Sequence, residues 1–179
     1  MAKNSGHNYQ LLHAPDNIGQ KALGELKKEP VVKNALDVIG KTSIIIHSIG
    51  NAFEMAYRRK SSKDILKVLE EKKAVCESFG SYFDESGSEI FKTSTIGMSF
   101  KDVDGIDNVF TIVGGEEKAD AVYSYLNTKP ANATLIIDEA ICKKIIKKVI
   151  ISSQDTWMAQ SVKHLTLDFC SGHDLEVLR

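Results

Sequence analysis

Short, nearly continuous apolar runs alternate along this chain with stretches in which apolar residues recur every three or four positions. Runs of the first kind lie at 43–49 (SIIIHSI), 109–113 (VFTIV) and 134–137 (TLII). Unbroken apolarity marks a strand buried on both faces, because alternation disappears when neither side meets water. Helical spacing places Val31, Val32, Ala35, Leu36 and Ile39 on one helix, with Pro30 in its first turn and Gly40 as its stop. Ile65, Leu66 and Leu69 mark a second helix, capped by Ser61 or Ser62, and residues 140–148 a third. Another helix is predicted from a cap at Asp16 or Asn17 towards Lys28, and a short one over 51–60. Residues 9–12 (YQLL) read as a short strand, 74–83 (AVCESFGSYF) as one strand with an inward Glu77, and 84–88 (DESGS) as a turn. A short extended pair, broken at Gly97, is expected within 90–100. Strands alternating with helices predict an α/β domain with a largely parallel sheet and flanking helices.

The stretch 108–126 (NVFTIVGGEEKADAVYSYL) joins the two patterns. An apolar strand turns through Gly114-Gly115 into a helix carrying Ala119, Val122 and Leu126 on one face. Such a turn offers backbone N–H groups at a helix N-terminus, where Lys118 could add a positive charge. It reads either as a phosphate seat or as a tight turn without a ligand. It is not a Walker A loop, because G-x-x-x-x-G-K-[ST] is absent.

Composition narrows the setting. The chain has 179 residues, 42% hydrophobic and 26% charged, with a net charge of −1. That is the balance of a globular domain without a global basic field for nucleic acid or an anionic membrane. Cys76, Cys142 and Cys170 are far apart and odd in number, which fits reduced thiols in a cytoplasmic protein rather than a disulfide framework or a zinc site. No run approaches a membrane span, and the N-terminus carries no apolar signal core.

In a parallel sheet, ligands bind beyond the carboxyl ends of the strands. That rule selects Gly50, Glu77, Gly114-Gly115 with Lys118, and Asp138-Glu139. Arg58-Arg59-Lys60 reads as a clamp for phosphate or carboxylate, or as a helix end matching its dipole. Glu77 either accepts from sugar hydroxyls or faces solvent. Asp138-Glu139 is either an acid/base pair or an N-cap followed by a dipole-matched Glu. His47, inside an apolar strand, reads as a hydrogen-bonded core histidine rather than a metal ligand. The five histidines show no metal spacing, and no nucleophile elbow is present. Neither a metal nor a cofactor is expected.

The segments HNYQLLHAPDNIG, SIIIHSIGNAFEMAYRRKSS, AVCESFGSYFDESG, FTIVGGEEKADAVYSYL and TLIIDEA together resemble the effector-binding domain of SorC-type bacterial transcriptional repressors. The resemblance covers roughly residues 8–147. It implies a Rossmann-like fold, related to sugar-phosphate isomerases and deaminases and to CoA transferases, that works as a sensor. The implied effector is a phosphorylated sugar, fructose 1,6-bisphosphate in a regulator of glycolysis, whose binding alters homo-oligomer contacts and operator binding. On this resemblance Arg58 and Lys118 hold phosphate, Glu77 holds sugar hydroxyls, and Gly114 and Gly115 give backbone access. The competing expectation is a sugar-phosphate isomerase or deaminase with Asp138, Glu139 or Glu77 as base. Full-length members carry an N-terminal helix-turn-helix and the first half of the effector domain, with its phosphate loop. Neither is present in this sequence, so DNA would be reached only through that missing reader. The chain accordingly divides into 1–148, the C-terminal part of the effector domain, and 149–179. This tail lies outside the resemblance and bears a faint likeness to conceptual translations of mammalian interspersed repeats.

Overall fold

The computed structural model describes Gly6 and residues 8–12, 14–15, 18–128, 132–151 and 175–178. The Asp16 and Asn17 caps, His7, His13, and most of the tail (with Trp157, His164, Cys170 and His173) lie outside the described residues. The first helix, α1 (Gln20–Leu26), begins after Gly19, which supplies no side-chain cap. Helix α2 (Pro30–Ile39) starts at its proline and stops at Gly40, as the sequence pattern predicts. Residues 9–12 form no strand, and Tyr9 and Leu11 are exposed.

Three apolar runs build the main sheet. Strands β1 (Ile44–His47), β6 (Asn108–Val113) and β7 (Ala133–Asp138) pair in parallel, in the order β1-β6-β7. A last strand, β8 (Leu175–Leu178), adds antiparallel to β7. Helices α6 (Ala119–Asn127) and α7 (Glu139–Ile151) supply the residues that bury one face of this sheet. Val113, Leu135 and Ile137 pack there with Val122, Tyr125, Ile141 and Ile145. Each such side chain contributes roughly 1.5–3 kcal/mol by leaving water. Helix α7 runs to Ile151, so the division placed after Lys148 falls within it.

The expectation that these strands are buried on both faces is not met. Ile44 is 57% exposed and Ile46 60%, and Ile112 is 43% exposed on the next strand. The face carrying Ile45, Val109, Val113, Leu135 and Ile137 is buried, whereas on the other face Phe110 and Ile136 are only half-buried.

The polypeptide between β1 and β6 forms a second sheet that the sequence pattern did not predict. Strands β2 (Gly50–Asn51), β3 (Cys76–Ser78), β4 (Ser81–Phe83) and β5 (Glu89–Lys92) pair antiparallel in that order. The stretch 74–83 is therefore a hairpin rather than one strand. Phe79 and Gly80, at φ +50° and +79°, make its two-residue turn, where positive φ at both positions matches the twist of the flanking strands. Glycine is required at 80, because a Cβ would sit 2.7 Å from both Thr93 Oγ1 and Thr95 Cγ2. Residues 90–100 hold one strand, not an extended pair. Phe100 instead opens the short helix α5 (Phe100–Val103), where Ser99 and Asp102 form a capping box. Helices α3 (Ala52–Arg58) and α4 (Lys63–Glu71) pack against this small sheet through Ala52, Ala56, Leu69 and Tyr82. Ser62 caps α4, accepting from the Ile65 amide.

Candidate ligand site

The Gly-Gly turn lies where the main sheet meets the small one. Strand β6 ends at Val113, Gly115 takes φ +102°, and a 3₁₀ turn (Glu116–Lys118) precedes α6. The helix therefore begins three residues later than a direct strand-to-helix turn would start it, with Lys118 as its N-cap. Asp138, at the end of β7, holds this turn. Its Oδ2 accepts from the Gly115 amide at 2.6 Å, and its Oδ1 accepts from the Ile141 amide at 2.8 Å. Asp138 is thus the N-cap of α7 and a clamp on the neighbouring turn. With both oxygens accepting from backbone amides, it is not poised as a general base.

That clamp corrects one detail of the anion-seat expectation. The Gly115 amide is engaged and does not point to an open seat. Three carboxylates, Glu116, Glu117 and Asp138, also belong to or touch the turn, and like charge opposes an incoming anion. Glu116 is offset by Lys144 at 3.0 Å. Lys118 is half-buried, with its amide donating to the Gly115 carbonyl.

The Glu77 carboxylate is buried, 3% exposed, and its Oε1 accepts two bonds. The Gly80 amide donates at 2.6 Å and Arg59 Nη2 at 3.0 Å. Arg59 Nη1 also donates to the Tyr82 hydroxyl at 3.3 Å. Burial works against the Arg59 charge, but the charge and hydrogen bond of Glu77 and the Tyr82 hydroxyl outweigh it, and the pKa is raised. Burial likewise pushes the Tyr82 hydroxyl up, against Arg59, which lowers it. The solvent-facing reading of Glu77 is therefore wrong. A buried carboxylate survives here because its partners are in place.

The structure separates the two arginines. Arg59 faces inward to Glu77, whereas Arg58 is exposed and its guanidinium lies 3.9 Å from Met55 Sδ. A signal for this lay in the sequence. Ala52 and Ala56 occupy the buried face of α3, and position 59 falls on the same stripe at i+3 from 56, while 58 is turned about 100° away.

The backbone brings the Glu77 cluster and the Gly-Gly turn side by side. Gly50 pairs with Glu77 across β2 and β3. Its neighbour Asn51 donates from Nδ2 to the Glu117 carbonyl at 3.3 Å, next to Lys118. Glycine at 50 leaves room for α3, since a Cβ would meet the Met55 side chain at 2.5 Å.

His47 is a core histidine. Its Nε2 lies 2.7 Å from Thr111 Oγ1, which is 3.2 Å from the Tyr125 hydroxyl, and its Nδ1 is 3.3 Å from the Ser48 carbonyl. A carbonyl only accepts, so Nδ1 carries the proton and Nε2 accepts from Thr111. Burial lowers the His47 pKa, partly offset by the Ser48 carbonyl. Burial pushes the Cys76 thiol far up, which leaves it inert. Among the described residues no cluster of His, Cys, Asp and Glu is placed to hold a metal, and no helix is long and apolar enough to cross a membrane.

Residues 1–147 match the sugar-binding domain family. The chain belongs to that family, which serves SorC-type transcriptional regulators. This sugar-binding domain is 36% identical over 147 residues to the central glycolytic genes regulator of Bacillus subtilis (strain 168), covering 82% of this chain and 43% of that protein. It is 33% identical to the regulator of the same name in Priestia megaterium, over the same shares. Among solved structures, a SorC family transcriptional regulator from Enterococcus faecalis is similar at 38% identity with a TM-score of 0.76, covering 82% of this chain and 59% of that one. A sugar-binding domain of a transcriptional repressor from Vibrio fischeri shares the fold at 18% identity, with a TM-score of 0.70 over 83% of this chain and 62% of that one. The sugar-binding domain spans less than half the length of the curated relatives it matches. These relatives are regulators, not enzymes. Arg58, Glu77, Gly114, Gly115 and Lys118 all fall within the matched residues.

Proposed function

We propose that this chain is the effector-sensing part of a bacterial transcriptional repressor and binds a phosphorylated sugar, fructose 1,6-bisphosphate or a similar bisphosphate. Arg58 and Lys118 hold phosphate, Glu77 accepts from sugar hydroxyls, and Gly114 and Gly115 let the ligand approach the backbone. Binding favours one homo-oligomeric arrangement and so modulates operator contact in the cytoplasm, with DNA read by a helix-turn-helix outside this sequence. The names of the relatives support a regulator of glycolytic genes. The supporting geometry is the link from Gly50 and Asn51 to Glu77 on one side and Glu117 on the other. On this reading the Glu77 carboxylate suits hydroxyls and the half-buried Lys118 suits phosphate.

Two details shape the mechanism. Arg59 neutralises Glu77, so the acceptor adds little repulsion toward a phosphate. The Gly115 amide belongs to Asp138, so phosphate affinity falls on the Lys118 and Arg58 side chains rather than on that donor. Replacing Lys118 by Ala in the full chain weakens fructose 1,6-bisphosphate binding at least about tenfold, because a charge-assisted contact of about 1.5–3 kcal/mol is lost. Titration calorimetry checks this, and unchanged affinity overturns the assignment.

A further inference from the structure

A cleft of about 490 Å³ lies between the start of α4, the end of β5 and the residues that lead into α1. That volume is within the range of small-molecule sites. Arg58, Glu77, Gly114, Gly115 and Lys118 are not among the residues that line it. Ile65 and Phe91 give it an apolar surface, and Lys60 and Lys92 bring two ammonium groups to it. Both lysines differ from their neighbours on α4. Lys67 pairs with Glu71, and Lys72 Nζ donates to the Ile90 carbonyl at 3.0 Å. Lys60 and Lys92 form no ion pair among the described residues. Asp64, in the first turn of α4, is exposed. Asp102 feels the charge of Lys92, but its Oδ2 already accepts from the Ser99 amide and hydroxyl. Two uncompensated cations at one concave surface focus the field there and raise the local concentration of anions.

The wall of the cleft is fixed before any ligand arrives. The Thr93 amide and Oγ1 both donate to the Gly80 carbonyl, at 2.8 and 3.0 Å, which ties the end of β5 to the β3–β4 hairpin. Phe91 is half-buried, its ring centroid 5.9 Å from that of Tyr82, and its remaining surface lines the cleft. Ser62 Oγ accepts from the Ile65 amide, which leaves its hydroxyl hydrogen free to donate. Cations with a hydroxyl donor suit a phosphate. An aromatic surface beside an aliphatic one suits a flat ring, because any base can stack on it.

We propose that this cleft is a second ligand site, one for a phosphate carried on a flat ring. The class that fits is a nucleoside monophosphate, its phosphate at Lys60, Lys92 and Ser62 and its base against Phe91 and Ile65. The test uses the full 179-residue chain and adenosine 5′-monophosphate, with titration calorimetry for the affinity and amide NMR for the place. The nucleotide binds with a Kd below about 1 mM and shifts the amide resonances of residues 60–66 and 91–94. Inorganic phosphate, which lacks the ring, binds at least about tenfold more weakly. Lys60→Gln combined with Lys92→Gln weakens the nucleotide at least about tenfold and shifts Tm by less than about 2 °C, since both residues are exposed. Four results overturn the proposal. One is no binding of the nucleotide in the millimolar range. The second is a set of shifts confined to Glu77 and residues 114–120, which gives the nucleotide to the sugar-phosphate site. The third is equal affinity for inorganic phosphate, which leaves the ring without a role. The fourth is full affinity in the folded double variant. None of these readouts uses a sugar phosphate, so the Lys118 assignment stands or falls separately.

Discussion

In the parallel sheet the fully buried side chains are Val109, Val113, Thr111 and Ile137, and all but one are hydrocarbon. In the antiparallel sheet the buried centre holds Glu77, Ser78 and Ser81 beside Cys76, Tyr82 and Phe83. The first sheet is held mainly by area, which is additive and non-directional, even though Ile44, Ile46 and Ile112 are exposed on its other face. The second has strands of two to four residues, too short to bury much hydrocarbon, and depends on a directional cluster. Glu77 and Tyr82 face each other across β3 and β4, and both bind Arg59, the C-cap of α3. Area tolerates partly exposed neighbours. A buried carboxylate does not tolerate a missing partner.

The sharpest way to break this contrast is Glu77→Ala. It leaves the mostly buried Arg59 guanidinium without its carboxylate and the Gly80 amide without an acceptor. Removing one partner of a buried pair costs about 3–5 kcal/mol, so urea unfolding shows a loss of about that size. Glu77→Gln keeps an acceptor for Gly80 and loses less. A loss below about 1 kcal/mol for the alanine variant would mean that the small sheet, like the large one, is held mainly by area.

Asp138→Ala tests the corresponding polar joint of the parallel sheet. It removes a helix cap and the clamp on Gly115, each a single bond from a backbone amide. The expected cost is about 1–2 kcal/mol, that of a lost helix cap and turn clamp, smaller than at Glu77 because no buried charge is left without its partner. Equal losses for the two variants would erase the distinction between the sheets.

Why one sheet was legible in the sequence and the other was not follows from the same contrast. The runs SIIIHSI, VFTIV and TLII announce strands because hydrocarbon in sequence becomes hydrocarbon in a core. The pattern cannot say how many layers the chain itself supplies, so Ile44 and Ile46 were expected to be buried. The antiparallel hairpin carries no such run: AVCESFGSYF reads as one strand until the Phe79-Gly80 backbone is known. Glu77 could be singled out as a lone charge among apolar neighbours, but its partner could not be chosen between Arg58 and Arg59 without the Ala52–Ala56 stripe. The Asp138 to Gly115 bond joins residues 23 apart through sheet geometry alone, and no local spacing announces it.

The smallest effect separates the sheets by pH. His47 lies on the covered face of β1, and the chain from Tyr125 through Thr111 to His47 Nε2 requires the ring to stay neutral. Burial lowers its folded pKa below the usual 6.5, with the Ser48 carbonyl acting in the opposite direction. Between the folded value and 6.5 the unfolded chain therefore binds more protons than the folded one. Stability is then fully present above about pH 6.5 and declines as pH falls through that window. The ring is half-buried, so the slope is shallow. Urea midpoints between pH 8 and pH 5 fall more for the wild-type chain than for His47→Gln, which keeps an acceptor for Thr111 but cannot titrate. The other four histidines are common to both proteins and cancel in the difference. Parallel pH curves for the two proteins would mean that His47 accepts its proton without breaking the Thr111 bond, and that the parallel sheet carries no titrating joint on its covered face.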